Sequence, residues 1–404
     1  MTNSLELFSG TGGLALGLQQ SGFHHRALLE WDKDSCDNIK ANIANGFPLI
    51  QDWNVVQTDV RLVHYDDFDV QFVAGGPPCQ PFSLGGKHQA YNDKRDMFPE
   101  AVRAVREIQP RAFVFENVKG LLRESFRTYF NYILLQLTYP DMVKKEGMTW
   151  IEHLKLLEQY HTSGHTRGLS YHVVFRLLNA ADYGVPQLRQ RVIIVGFRSD
   201  LDARWSFPEG ECSKEALDYA KYVDHSYWEE HRVAKSNRPT ITQAKQENIR
   251  RKVDAFQKTK PPTRWKTVRD AFVGLEDPRK GKIDPAVSNH IFHGGARPYV
   301  GHSGSLLDEP SKTIKAGAHG VPGGENMVIL EDGSLRYYTV RESARIQTFP
   351  DNYLFYGSWT ESMRQIGNAV PVKLAGAIGH SIITQLERMD HNGTEKRHSH
   401  IRSL

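Results

Sequence analysis

The chain opens on a pattern that few folds accommodate. An apolar run, Leu5-Glu6-Leu7-Phe8, reads as a short buried strand and passes into Ser9-Gly10-Thr11-Gly12-Gly13. Leu14, Leu18 and Phe23 then bracket a helix with its apolar face at helical spacing. A second strand over residues 25–29 ends at Glu30-Trp31-Asp32, a helix follows over 32–44, and a third strand starting at Val55 ends at Thr58-Asp59-Val60. Strands alternating with helices predict an α/β fold with a doubly wound, mostly parallel sheet. Ligands of such a sheet gather at the C-terminal ends of its strands.

The glycine turn alone leaves the ligand open. Gly10-x-Gly12-x-x-Ala15 fits a dinucleotide fingerprint, with Glu30 roughly where a ribose-binding acid belongs. A nicotinamide enzyme and a nucleoside-cofactor transferase are both compatible with it. In either case glycines let the backbone approach the ligand and Glu30 can accept from ribose hydroxyls. Trp31 offers a flat face for an adenine ring, with core packing as its alternative use.

A second constrained stretch follows. The apolar run 70–74 breaks at Gly75-Gly76, and Pro77-Pro78-Cys79-Gln80-Pro81-Phe82-Ser83 packs three prolines into five positions. Proline fixes φ and removes donors, so this is a stiff loop at a strand end. It aims one soft nucleophile, Cys79. The polar segment 84–96, hinged at Gly85-Gly86, reads as a candidate lid. A helix over 97–108 ends at Pro110, and the apolar strand 112–115 delivers Glu116-Asn117-Val118 to the same rim. Residues 121–160 read as mostly helical, without evident chemistry. The stretches 172–178 and 191–197 read as a strand pair flanking Gln187-Leu188-Arg189-Gln190-Arg191.

Composition narrows the class. The three cysteines, Cys36, Cys79 and Cys212, are widely spaced and form no CxxC pair. That argues against a disulfide framework and a cysteine-rich zinc site, and it suits a cytoplasmic protein without a metal. The N-terminus lacks a signal-like region, and no apolar run is long enough to span a membrane. Between His231 and Lys282 there are fifteen Lys and Arg against five Asp and Glu, so the remainder of a chain of net charge +4 is acidic. A basic segment carried by an acidic remainder fits a polyanion contacted by one part only, or else a solvated linker. Beyond Phe197 the strand–helix rhythm stops. An irregular second domain follows, rich in glycine and histidine from His293 to Gly324, and the first domain resumes near Tyr337.

Taken together these motifs resemble the cytosine-C5 DNA methyltransferase family over nearly the whole chain. Residues Leu7 to Gly13 resemble its cofactor loop, Pro77 to Ser83 its nucleophile motif, Glu116-Asn117-Val118 its acid motif and Gln187-x-Arg189-x-Arg191 its arginine motif. Arg341-Glu342-x-Ala344-Arg345-x-Gln347-x-Phe349-Pro350 and Gln365-Ile366-Gly367-Asn368-Ala369-Val370 resemble its last two blocks, in the family's order.

The resemblance implies a Rossmann-like, S-adenosylmethionine-dependent enzyme acting on double-stranded DNA. Cys79 would attack C6 of a flipped cytosine, Glu116 would protonate N3, Arg191 would contact O2, and Arg189 would orient the carboxylate or a phosphate. It implies cofactor contacts at Phe8, Gly10, Gly12, Gly13, Leu14, Glu30, Trp31, Asp59, Val60, Pro78, Asn368, Ala369 and Val370. Residues 1–198 and 336–390 would form the catalytic domain, 199–335 a target-recognition domain and 391–404 a disordered tail. DNA contacts are expected at Ser83, Lys87, Arg95, Arg250, Arg251, Lys252, Arg264, Arg269 and Thr313. Family members usually carry glycine after the arginine of the lid, where this chain has Asp96. A monomeric prokaryotic modification enzyme, paired with a restriction endonuclease, is the expected setting. Two alternatives are a tRNA-directed relative, which should lack so large a recognition domain, and a nicotinamide oxidoreductase, which leaves the later motifs unexplained.

Overall fold

A computed structural model describes residues 2–78, 96–164, 168–256, 262–281, 287–298, 303–316 and 326–401. Strands β1 (Thr2–Leu7), β2 (Phe23–Glu30), β3 (Val55–Gln57), β4 (Phe72–Gly75), β5 (Ala112–Val118), β6 (Tyr171–Asn179) and β7 (Gln190–Arg198) form one sheet. Their order is β3-β2-β1-β4-β5-β7-β6. The first five are parallel, and β7 runs antiparallel between β5 and β6. Helices α1 (Gly13–Gln20), α2 (Lys33–Ala44) and α3 (Phe98–Ile108) make the crossovers. The expected doubly wound, mostly parallel sheet is therefore present.

Period-two alternation explains the unbroken apolar strands. In β5, Phe113 and Phe115 enter one core while Ala112 and Val114 enter the other; in β7, Val192 and Ile194 oppose Ile193 and Val195 in the same way. Helices α4 (Arg127–Thr138) and α5 (Trp150–Thr162) cover the first face. The 121–160 stretch is thus two helices, the second opened by a Thr149–Glu152 capping box.

Residues 199–335 are built from short pieces: β8 (Cys212–Ser213), α6 (Lys214–Tyr222), α7 (Ser226–Glu230), α8 (Gln243–Phe256), β9 (Thr263–Arg264), α9 (Val268–Phe272), β10 (Ser305–Leu306), β11 (Met327–Ile329) and β12 (Leu335–Tyr337). Leu217, Ala220, Tyr227, Trp228 and Val233 form a small core of their own. Val268, Ala271, Ile314 and Val328 instead share a core with Ala15, Leu16, Leu28 and Ile39 from the sheet half. The expected boundary at 336 cuts β12, which pairs with β11 through a turn at Gly333 (φ 77). The region is docked through common apolar packing, not carried on a linker.

Helices α10 (Val340–Ile346), α11 (Trp359–Asn368) and α12 (Val372–Ile401) complete the chain, and α12 packs along α1 on the second face. The tail expected to be disordered from His391 is helical through Ile401. A polar, proline-free sequence extends a helix that is already nucleated at little cost. No helix among the described residues is long and apolar enough to cross a membrane.

Candidate active site

The glycine turn leaves β1 through a strained residue. Phe8 takes φ 56, left-handed backbone that an aromatic residue rarely adopts, and Gly10 and Gly12 follow at φ 52 and 81. A Cβ at Gly10 would meet no atom within 4 Å, whereas one at Gly13 would lie 2.5 Å from the Val370 carbonyl oxygen. One glycine therefore leaves room for a ligand, and the other lets α1 abut the Asn368–Val370 motif.

Glu30 closes β2, in register with Gln57 of β3, so Glu30 and Asp59 lie at neighbouring strand ends. The Glu30 carboxylate accepts from the Gly10 N–H at 2.7 Å and from the Trp31 and Asp32 N–H groups at 2.9 Å. Burial pushes this carboxyl up, and those three bonds act against it. Trp31 is 73% exposed, its ring free to stack. Asp59 is gripped by Arg61, whose Nε donates to both carboxylate oxygens at 2.9 and 3.0 Å and holds the group below its ordinary range. This open, acid-lined rim with one exposed ring fits a nucleoside ligand. Leu14, Val60, Ala369 and Val370 bury their side chains in the cores, so only their backbone can face a ligand; Asn368 is exposed.

The rim at the ends of β4 and β5, where Glu116 stands, is set by strand register. Gly75 of β4 pairs with Phe115 of β5, and a Cβ on Gly76 would sit 3.5 Å from Glu116 Oε2. Asn117 Nδ2 donates to the Pro77 carbonyl at 2.9 Å, and the Met97 N–H donates to the Pro78 carbonyl at 3.1 Å. The entry to the proline loop is thus braced from both sides. Pro78 is exposed, while Cys79, Ser83, Lys87 and Arg95 lie outside the described residues.

Arg191 pairs in register with Val118, which puts it on the Glu116 face. Its Nε lies 2.5 Å from Glu116 Oε1, and each side chain is only 11% exposed. Arg189 does not orient the carboxylate or reach a phosphate. It is fully buried and donates to the carbonyls of Ile314 (2.9 Å), Gly367 (2.7 Å) and Ala369 (3.0 Å). Burial, and next the like charge of Arg191, lower its pKa well below the ordinary arginine value. It precedes β7, where no strand partner claims it, and it ties three segments together. Thr313 and Ile314 belong to the same seam: Thr313 Oγ1 donates to the Leu188 carbonyl at 2.7 Å and the Ile314 N–H to Gln187 at 2.9 Å. A Cβ at Gly367 would meet the Ala316 nitrogen at 2.4 Å, so glycine permits this contact.

The basic segment divides in two. Arg250, Arg251 and Lys252 stand out from α8 with side chains 54%, 75% and 57% exposed. Arg264 and Arg269, expected on phosphate, are internal. Arg264 bridges Asp270 at 2.7 Å and Glu230 at 2.8 Å, and Arg269 bridges Asp308 at 2.7 Å and Glu331 at 2.5 Å. A partly buried guanidinium needs such partners to offset its lost hydration. Glu230, His231 and Asp270 converge at metal-ligand spacing, but Arg264 already bridges the two acids.

A cavity of about 1090 Å³ opens at the far end of the sheet, beside Gln109, Tyr171 and Arg198. Its polar lining is engaged: Arg198 by Asp200 and the Gln109 carbonyl, His161 by Tyr139, and Asp141 by the Leu169 N–H. The convergent acids, glycine turn and exposed ring lie at the other end.

Comparison with known proteins agrees with this geometry. A family profile described as C-5 cytosine-specific DNA methylase matches residues 2–139 and 152–384. Type II methyltransferase M.NgoMIV of Neisseria gonorrhoeae is 31% identical over 395 residues, covering 95% of this chain and 98% of that protein. Type II methyltransferase M.Eco47II of Escherichia coli is 31% identical, covering 96% and 80%. Among solved structures, the S. pombe Dnmt2 methyltransferase superposes with a TM-score of 0.55 at 17% identity, covering 96% of this chain and 99% of that one, a likeness of fold. The profile spans both the glycine-turn rim and the Glu116 rim, and the chain belongs to the C-5 cytosine-specific DNA methylase family, as a DNA (cytosine-5-)-methyltransferase of the type II restriction-modification kind.

Proposed function

We propose that this enzyme methylates C5 of a cytosine flipped out of a specific duplex sequence, through a transient bond between Cys79 and C6. The observation that carries this reading is the Glu116–Arg191 pair set against Gly76, at the entry to the Cys79 loop. C6 of a stacked cytosine is out of reach of any side chain, so the base leaves the duplex first. The Cys79 thiolate then adds to C6 and the ring's electrons move toward N3. Glu116 hydrogen-bonds N3 and delivers a proton there, while Arg191 holds Glu116 and faces O2. C5 becomes enamine-like and nucleophilic. S-adenosylmethionine, when held by Phe8, Gly10, Gly12, Gly13, Leu14, Glu30, Trp31, Asp59, Val60, Pro78 and Asn368 to Val370, supplies the methyl group. The N3 proton then returns to Glu116, and loss of the C5 proton to solvent with expulsion of the Cys79 thiolate restores the aromatic ring.

Residues 199–335 are the target-recognition region in this reading, with Arg250, Arg251 and Lys252 on phosphates. The enzyme works as a monomer on prokaryotic DNA, protecting it from a cognate endonuclease. Bisulfite sequencing of unmethylated DNA incubated with the protein and S-adenosylmethionine tests the reaction. Conversion-resistant cytosines within one recurring short sequence are expected. Methylation confined to tRNA, or absent from both, contradicts the proposal.

A further inference from the structure

We infer that Tyr353 and Arg364 are positioning residues for the nucleoside end of the cofactor, acting from the C-terminal segment on the two loops that flank it. This rests on the cofactor reading above. The Tyr353 side chain is fully buried, and its hydroxyl donates to the Thr11 carbonyl at 2.8 Å, in the middle of Gly10-Thr11-Gly12. Thr11 is gripped a second time, because Asn38 Nδ2 of α2 donates to its hydroxyl at 2.8 Å. Asn38 in turn accepts from the Tyr356 N–H at 2.9 Å, so the bracket closes back on the segment that carries Tyr353. Besides this bracket the turn is held by the Gly10 N–H on Glu30 and the Gly12 N–H on the Ser9 carbonyl, while Gly10 and Gly12 sit at positive φ and open space lies over Gly10.

Arg364 makes the matching contact on the other loop. Its Nη2 donates to Asp32 Oδ2 at 2.7 Å, while Glu361 takes its Nε at 2.8 Å. Asp32 caps α2 through the Ser35 N–H and directly follows Glu30 and the exposed Trp31. Arg364 lies on α11, whose last residue, Asn368, begins the third cofactor segment. The two contacts therefore tie the C-terminal motif to the glycine turn and to the Glu30–Trp31 corner. Neither side chain reaches the cytosine rim. Loss of either should loosen the cofactor's seat while leaving the chemistry of a saturated enzyme intact.

The test is calorimetric titration of S-adenosylmethionine into the full-length wild type, Tyr353→Phe and Arg364→Met, with kcat measured at saturating cofactor. Dissociation constants should rise about tenfold in each variant, the scale of one buried or charge-assisted hydrogen bond, with kcat within about twofold. Arg364→Lys should recover part of the loss. Asp32→Asn, which keeps the cap on Ser35 and removes the ion pair, should match Arg364→Met and serves if that variant does not fold. Unchanged affinity with only a lower melting temperature makes these residues merely structural and overturns the inference, as does a fall in kcat at unchanged affinity. Failure of the wild type itself to bind S-adenosylmethionine would sink the cofactor reading instead.

Discussion

The catalytic rim and the basic region at 231–282 carry similar side chains and use them differently. At the rim, Glu116 and Arg191 are placed by the register of β5 against β7, and each is the other's partner. In the basic region the same residue type has two fates. Arg264 and Arg269 are spent inside on acids, while Arg250, Arg251 and Lys252 stand on a helix whose partly buried positions, Gln246, Ile249 and Val253, form one thin stripe. Charge counting locates such a region; burial decides which of its charges a partner can meet.

The largest effect expected from this contrast lies at the rim. Glu116→Gln should lower kcat by roughly 10²–10⁴-fold, since it removes the proton source, while S-adenosylmethionine affinity stays within about twofold. A comparable loss of affinity in calorimetry would move Glu116 out of the catalytic group. The next effect separates the two kinds of basic residue. Arg264→Ala leaves Asp270 and Glu230 without their guanidinium and should destabilise the fold by about 3 kcal/mol in urea unfolding. The triple replacement of Arg250, Arg251 and Lys252 by Ala should leave stability nearly unchanged. It should instead reduce the slope of log K against log salt for DNA binding by up to about 2.7, at about 0.9 per phosphate contact. An unaltered slope in the triple variant, or an unaltered unfolding midpoint in Arg264→Ala, breaks the division.

A smaller effect sits under the glycine turn. His25 is buried, with Nε2 donating to the Ala15 carbonyl at 3.0 Å, and burial pushes its imidazole down to about 4. As pH falls from 7, the unfolded chain takes up a proton near 6.5 that the folded chain refuses until about 4. Stability is lost across that window, by about 2 kcal/mol at pH 5 for this group alone. The difference in unfolding free energy between pH 7 and pH 5 should shrink by that amount in His25→Gln. An equal difference in both proteins contradicts the assignment.

Much of the sheet half was legible because its signals are local. Glycines mark the turn at Gly10 and Gly12, a continuous apolar run marks β5 as buried on both faces, and the proline loop follows β4 directly. The contacts that hold the site together were not legible. Arg189 meets Gly367, Tyr353 meets Thr11, and Arg364 meets Asp32, across separations that only the tertiary fold closes. Arg61, by contrast, lies two residues from Asp59, and an arginine beside a capping acid was a signal available in the sequence. Phe8 gave none, because an aromatic residue does not advertise positive φ. The second domain misled for a related reason: its rhythm breaks at Phe197, yet Ile314 and Val328 complete a core begun by Leu16 and Leu28.

The proposed mechanism turns on a bond between Cys79 and C6 of a flipped cytosine beside Glu116. Duplex DNA bearing 5-fluorocytosine at the methylated position, incubated with the protein and S-adenosylmethionine, tests it most directly, because fluorine at C5 blocks the final proton loss. A denaturation-resistant protein–DNA adduct is predicted, mapped by peptide mass spectrometry to Cys79 and absent in Cys79→Ser. An adduct at Cys36 or Cys212, or methylation of normal DNA by Cys79→Ser, would contradict it.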